Sequence, residues 1–181
     1  MSRWGSCDYK QLQKLRDNLE QLQKASLDKF CRDVSKELAA RLLALVIPRT
    51  PVGDYKKPVD FVTRDGEHVH FTPHTGKVGG TLRRGWTART EQEAENRGGG
   101  SNTKEYAMAL PVTKSGDEYR IEVINPVQYA SYVEFGHRTP GGKGWVDGKY
   151  FLTLSEQDLR ALAPALIEKR LEALLEEVFH G

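Results

Sequence analysis

At 181 residues, with 38% hydrophobic and 29% charged side chains, the chain has the length of one domain and can bury on the order of 70% of its unfolded surface without disulfide or metal staples. A formal charge of +2 is too small for nucleic-acid binding over the whole surface. No apolar run approaches the ~18 residues of a membrane span, and Cys7 and Cys31 stand in no metal-ligand spacing, which fits a reducing compartment. Proteins are therefore the expected partners, with no cofactor and no membrane. The opening MSRWGSCDYK, which lacks the apolar h-region of a signal peptide, predicts a product that stays in the cytoplasm of the cell making it.

Leu12, Leu15, Leu19 and Leu22 recur at 3,4,3 spacing and predict an amphipathic helix over 8–24, with Asp8 as its N-cap. The seam then slips, and Ser26 can cap a second helix over 27–46 that carries Phe30, Val34, Leu38, Leu42 and Leu45 and ends before Pro48. This second helix reads as the main core helix, its Ala39-Ala40 pair allowing a close approach. Fewer than three clean heptads favour packing on its own domain over a coiled coil.

Residues 53–74 read as an inserted β-hairpin and peripheral contact arm. Val59, Phe61 and Thr63 alternate on one strand, Val69 and Phe71 on the other, and Asp65-Gly66 marks the turn. His68, His70 and His74 raise metal binding, but no carboxylate or Cys stands at a fitting sequence offset. They read instead as the polar face of the hairpin, with no metal expected.

A sheet is expected over 81–124. It opens at LRRGWTAR (82–89) and is interrupted by a mobile loop over 90–104, where Glu, Gln and Asn lead into Gly98-Gly99-Gly100-Ser101. Arg83, Arg84 and Arg89 could line a passage for DNA, pair with acids of a partner subunit, or form a solvated strand edge. Residues 106–112 and 118–124 alternate and are expected to pair antiparallel around 114–117.

The most specific stretch is NPVQYASYVEFGHR, residues 125–138. Asn125-Pro126 ends the preceding extended run. Tyr129, Tyr132 and Val133 fall on one face of a short helix over 127–135, Gly136 fits a left-handed C-terminal cap, and His137 and Arg138 follow at the negative end of the helix. Polar tips on aromatic bodies suit such a corner to docking, and Tyr129, Tyr132, Glu134 and Phe135 are expected to divide between core and interface. The TPGGKG run at 139–144 fails as a phosphate loop, since Gly144 rather than Ser or Thr follows the Lys. Trp145, Val146, Tyr150 and Phe151 return the chain to the body. A last helix over 155–179, capped by Ser155, carries Leu159, Leu162, Leu166, Leu171, Leu174, Leu175 and Val178 and should kink or restart at Pro164.

Helices first, strands in the middle and a helix last indicate an α+β fold: an antiparallel sheet packed on one face by long N-terminal and C-terminal helices, with the hairpin inserted. The run Asn125-Pro126, Tyr129-Ala130, Tyr132 to Arg138 resembles the signature of the HK97 gp10-like family of phage neck and tail-completion proteins. Thr50-Pro51-Val52, Thr75-Gly76, Leu82-Arg83 and Trp86 extend the resemblance upstream.

The resemblance implies a structural virion protein, assembled in the host cytoplasm as a ring, a hexamer, that caps the tail tube and joins it to the head connector, stopper or collar protein. DNA would only pass through its lumen. The interface would then draw on Arg83, Arg84, Trp86, Arg89, Tyr129, Tyr132, Glu134, Phe135, His137 and Arg138. The rival readings are a minor tail or head-tail adaptor component at another ring position, and a small hydrolase using Glu134 and His137. Against the hydrolase, the chain has no G-x-S-x-G elbow, no metal set and no Cys near a His, so no enzyme is expected.

Overall fold

The computed structural model describes residues 9–21, 27–54, 58–62, 66–71, 79–96, 102–139 and 144–180. In chain order the elements are α1 (Tyr9–Gln21), α2 (Leu27–Arg49), β1 (Val59–Val62), β2 (His68–Phe71), α3 (Thr81–Gly85), α4 (Glu91–Glu95), α5 (Thr103–Ala109), β3 (Val112–Ser115), β4 (Glu118–Ile121), α6 (Ala130–Phe135), β5 (Gly136–Arg138), β6 (Trp145–Asp147) and α7 (Phe151–His180). The class is α+β. The described strands form three separate antiparallel hairpins, β1-β2, β3-β4 and β5-β6, and of the single sheet expected over 81–124 only β3-β4 is present.

The central element is α2, which touches α7, α5, α3 and the β3-β4 hairpin. A helix covered on several sides has no single apolar stripe. Val34, Ala39, Leu43 and Val46 are buried, while Leu38, Leu42 and Leu45, the seam read from spacing, are only half-buried. The core joins Leu43 and Val46 to Leu82, Trp86, Val127 and Phe151, so α2, α3, the segment before α6 and the start of α7 meet at one point.

The segment after the inserted hairpin is helical where strands were expected. Leu82, Gly85 and Trp86 are the buried positions of the turn made by α3 and its C-cap, an i, i+3, i+4 pattern that belongs to a helix and not to a strand. Residues 90–96, taken for part of a mobile loop, contain α4. Thr90 Oγ1 accepts from the Glu93 amide at 3.2 Å, and the Glu93 carboxylate accepts from the Arg89 amide at 2.8 Å, a variant of the reciprocal cap that a T-x-x-E run encodes. Residues 97–101, with the glycine run, lie outside the described residues. Asn102 caps α5 through the Lys104 amide, and α5 takes Tyr106 to Ala109, which were expected in a strand. Only Val112–Ser115 pairs with Glu118–Ile121, with Val112 opposite Ile121 and Gly116 turning at φ +61°.

The inserted hairpin forms with Val59 opposite Phe71 and Phe61 opposite Val69. At the other end, α7 starts at Phe151, four residues before the expected cap. Ser155 is therefore interior: its hydroxyl is buried and donates to the Phe151 carbonyl at 2.6 Å. Pro164 lies inside one 30-residue helix. No helix among the described residues is long and apolar enough to cross a membrane.

The β3-β4 hairpin is clamped to the first turn of α2. Asp28 accepts from Arg32 Nε at 2.7 Å, Tyr119 OH at 2.7 Å and Lys114 Nζ at 3.0 Å, and Arg32 Nη1 continues to the Val112 carbonyl at 2.9 Å. The Arg32 guanidinium, then Tyr119 and Lys114, hold the Asp28 carboxyl well below the usual carboxylate range. A carboxyl depressed in the folded state contributes stability above its unfolded pKa and loses it as pH falls toward the folded one. Stability should therefore fall more steeply between about pH 5 and pH 2 in the wild type than in Asp28→Asn. Parallel pH profiles in chemical denaturation would remove the clamp from the account.

Candidate subunit interface

The residues singled out in the sequence fall into two groups, one that ties helix ends together inside the chain and one left on the surface. The first begins at the C-terminus of α2, whose last carbonyls need partners from outside the helix. Arg83 supplies them, with Nε and Nη2 donating to the Thr50 carbonyl at 3.1 and 2.7 Å and Nη2 also reaching the Pro48 carbonyl at 3.3 Å. Thr50 is fully buried. Its hydroxyl donates to the Val46 carbonyl at 2.7 Å and accepts from Trp86 Nε1 at 2.8 Å. Trp86 is 3% exposed and meets Phe151 edge-on at 6.2 Å. Arg84 likewise serves carbonyls, those of Ala94 at 2.8 Å and Gly79 at 3.2 Å. Asn125 donates from Nδ2 to the Leu82 carbonyl and accepts the Val127 amide, which fixes the approach to α6.

Glu134 closes this internal network. It is 3% exposed, and its carboxylate accepts from the Leu152 amide at 2.9 Å, the Thr153 amide at 2.8 Å and the Thr153 hydroxyl at 2.7 Å. Those are the first-turn donors of α7, which a tyrosine at the preceding position cannot cap. Tyr150 stands there at φ +49°, held by its amide on the Glu134 carbonyl at 3.1 Å. A negative charge at the positive end of a 30-residue helix is also electrostatically favoured. With both carboxylate oxygens committed to α7, Glu134 makes no acid/base pair with His137, whose Nδ1 is buried without a partner among the described residues. Glu134, Trp86, Arg83 and Arg84 therefore each serve the chain's own fold, Glu134 on the core side of the expected division between core and interface.

The second group is exposed. Tyr132 and Phe135 on α6 are each 58% exposed, Trp145 on β6 is 59%, and Tyr129, Val146, Tyr150 and Leu154 are also open. The local fold sets where they stand. Gly136 takes φ +86° and ψ 171°, an extended positive-φ conformation rather than the left-handed cap expected, so α6 passes straight into β5. A Cβ there would collide with the Val146 carbonyl and crowd the Trp145 indole. β5 pairs with β6, placing His137 opposite Val146 and Arg138 opposite Trp145, while the Tyr132 ring stands edge-on to His137 at 6.0 Å. Arg89, Arg138, Asp147 and Lys149 are exposed as well.

Sequence reasoning missed Trp145, Val146, Tyr150 and Leu154 as surface residues, since apolar side chains near a signature read as core. It also missed Asp60 as the neighbour of the hairpin histidines. The cross-strand register sets its carboxylate 3.5 Å from His68 Nδ1 and 3.6 Å from His70 Nδ1. No three His, Cys, Asp or Glu side chains among the described residues are arranged to hold a metal ion, and His74 lies outside those residues.

No curated protein and no solved structure matches the chain significantly. The model of the HK97-gp10-like family, described as "Bacteriophage HK97-gp10, putative tail-component", matches residues 13–136, which include Thr50, Arg83, Arg84, Trp86, Glu134 and all of α6 and end before α7. By that match over more than half its length the chain belongs to the HK97-gp10-like family, and with it to the structural components of the phage tail and its virion.

Proposed function

We propose that the protein is the tail-completion ring of the neck, a homo-oligomer, taken as a hexamer, that caps the tail tube and joins it to the head connector, with DNA passing through its lumen. The observation that carries the reading is the exposure of three aromatic side chains, Tyr132 and Phe135 on α6 and Trp145 on β6, on elements tied to α7 through Glu134. Exposed aromatic side chains of this kind are the anchors that protein interfaces use. A closed ring gives such a corner a constant partner, since each subunit must present one surface to a different surface of its neighbour. The commitment of Arg83 and Arg84 to the chain's own carbonyls speaks against a DNA contact at α3.

The test is to assemble particles with Tyr132→Ala/Trp145→Ala, two exposed positions whose truncation should leave the melting temperature within a few degrees. Overlong or unattached tails, together with at least a tenfold loss of self-association, are expected, the size of effect typical of removing aromatic anchors. Joined tails of normal length would remove the corner from the mechanism. Joined tails absent but tail length unchanged would instead support an adaptor position on the head side.

A further inference from the structure

Two strand edges carry backbone groups that the described chain leaves unfilled. The β3-β4 hairpin turns at Gly116 and Asp117, so Ser115 with Glu118 and Thr113 with Arg120 exchange the ladder hydrogen bonds. Tyr119 and Ile121 therefore point their N–H and C=O groups away from β3, and among the described strands β4 pairs with no other. Past β4 the alternation continues: Ile121 and Val123 are half-buried on the core, while Arg120, Glu122 and Ile124 are exposed, Ile124 at 63%. Glu122, Val123 and Ile124 make no hydrogen bond among the described residues. The other edge is on the inserted hairpin. Its two strands pack on each other and hardly on the rest of the described chain, and the insertion is rooted at one point, where a Cβ on Gly79 would collide with the Gly53 carbonyl. A two-stranded sheet standing alone is marginal in water and gains stability from a third strand.

We propose that the inserted hairpin of one copy lays β2 along the open edge of β4 of the neighbouring copy, joining two hairpins into one sheet of order β1-β2-β4-β3 across the subunit boundary. A second copy fits for two reasons. Both edges belong to every copy but do not pair within one, so a closed ring uses one arm and one edge per subunit and leaves neither open to aggregation. The two strands also match face for face. β2 alternates His68 and His70 with Val69 and Phe71, as β4 and its continuation alternate Glu118, Arg120 and Glu122 with Tyr119, Ile121 and Val123, so polar meets polar and apolar meets apolar. Pro58, which has no N–H to donate, then leads into β1 on the outer side of the joined sheet. The contact is head-to-tail, because arm and edge are different surfaces, and repeated head-to-tail contacts close into rings. The inference deepens the ring reading and rests on it.

Native mass measurement and amide exchange of the untagged full chain test it beside two variants. One is Val123→Pro, which removes an outward N–H beyond the β3-β4 ladder, and the other replaces residues 55–74 by a short Gly-Ser link. Val123→Pro should weaken self-association about tenfold, the contribution of roughly one net backbone hydrogen bond, while Val123→Ala, which keeps the N–H, stays near the wild type. The armless chain should be monomeric. At a concentration where each variant alone is monomeric, mixing the two should give one-to-one pairs, since one keeps the arm and the other the edge. In wild-type assemblies the Ile121 and Val123 amides should exchange slowly, and in the armless chain about tenfold faster or more. If either variant loses cooperative melting, the exposed substitutions Ile124→Lys and Phe71→Lys take its place, with the same loss of assembly expected from a charge on a strand edge. An armless chain that assembles like the wild type, or a mixture that forms no pairs, would overturn the arm joint and leave the ring standing. A wild-type chain that stays monomeric at high concentration would overturn the ring reading together with the joint.

Discussion

Glu134→Ala should destabilise the protein by about 3–4 kcal/mol, a fall in melting temperature of roughly 6–15 °C for a chain of this size. The carboxylate accepts three hydrogen bonds in a buried site, and hydrogen bonds to a charged group contribute roughly 1.5–3 kcal/mol each when counted singly, less when counted together. Alanine leaves the Leu152 and Thr153 amides without their acceptor at the start of α7. Glu134→Gln, which keeps one acceptor oxygen but no charge, should cost about half as much. Amide exchange at Leu152 and Thr153 should accelerate in both variants before the rest of α7 opens. A Glu134→Ala protein that melts within about 2 °C of the wild type would show that α7 is held by its packing on α2 and not by this cap.

How much of this was legible in the sequence depends on whether a residue acts on its own segment or across the chain. The α+β class, the inserted hairpin and the short helix before Gly136 follow from spacing and turn chemistry, and the structure has all three. The strand read over 82–89 failed because an apolar-basic run was weighed by its exposed arginines, while Leu82 and Trp86 already stood at helical spacing. The cap Thr90-Glu91-Gln92-Glu93 was present in the sequence too, and the glycine run beyond it led the whole stretch to be read as unordered.

The site was harder. Arg83 looks from sequence like a group waiting for phosphate or carboxylate, and only the fold brings the end of α2, 33 residues away, within its reach. Glu134 has the same character: its partners lie 18 and 19 residues on, at the start of a helix that spacing placed four residues later. Long-range polar contacts of this kind carry no local periodicity, so a signature rich in Glu, Arg and Trp can describe the inside of a protein as easily as its working surface.

Trp86→Ala should have an effect as large as that of Glu134→Ala, about 3–5 kcal/mol, because it removes a core aromatic and opens a cavity beside Phe151. The more informative change is Trp86→Phe, which keeps most of the ring volume and deletes the indole N–H. Thr50 Oγ1 then loses its donor in a fully buried site while still donating to the Val46 carbonyl, so a loss of about 1–3 kcal/mol is expected. Thr50→Val removes the hydroxyl instead and leaves the indole N–H without an acceptor, at a similar cost. The two losses share one hydrogen bond, so the double variant Trp86→Phe/Thr50→Val should be less destabilised than the sum of the singles by about 1 kcal/mol or more. Chemical denaturation of the four proteins measures that coupling. Strict additivity would mean that the Trp86 to Thr50 contact contributes nothing, and that α3 is held to the end of α2 by the Arg83 guanidinium and apolar packing alone.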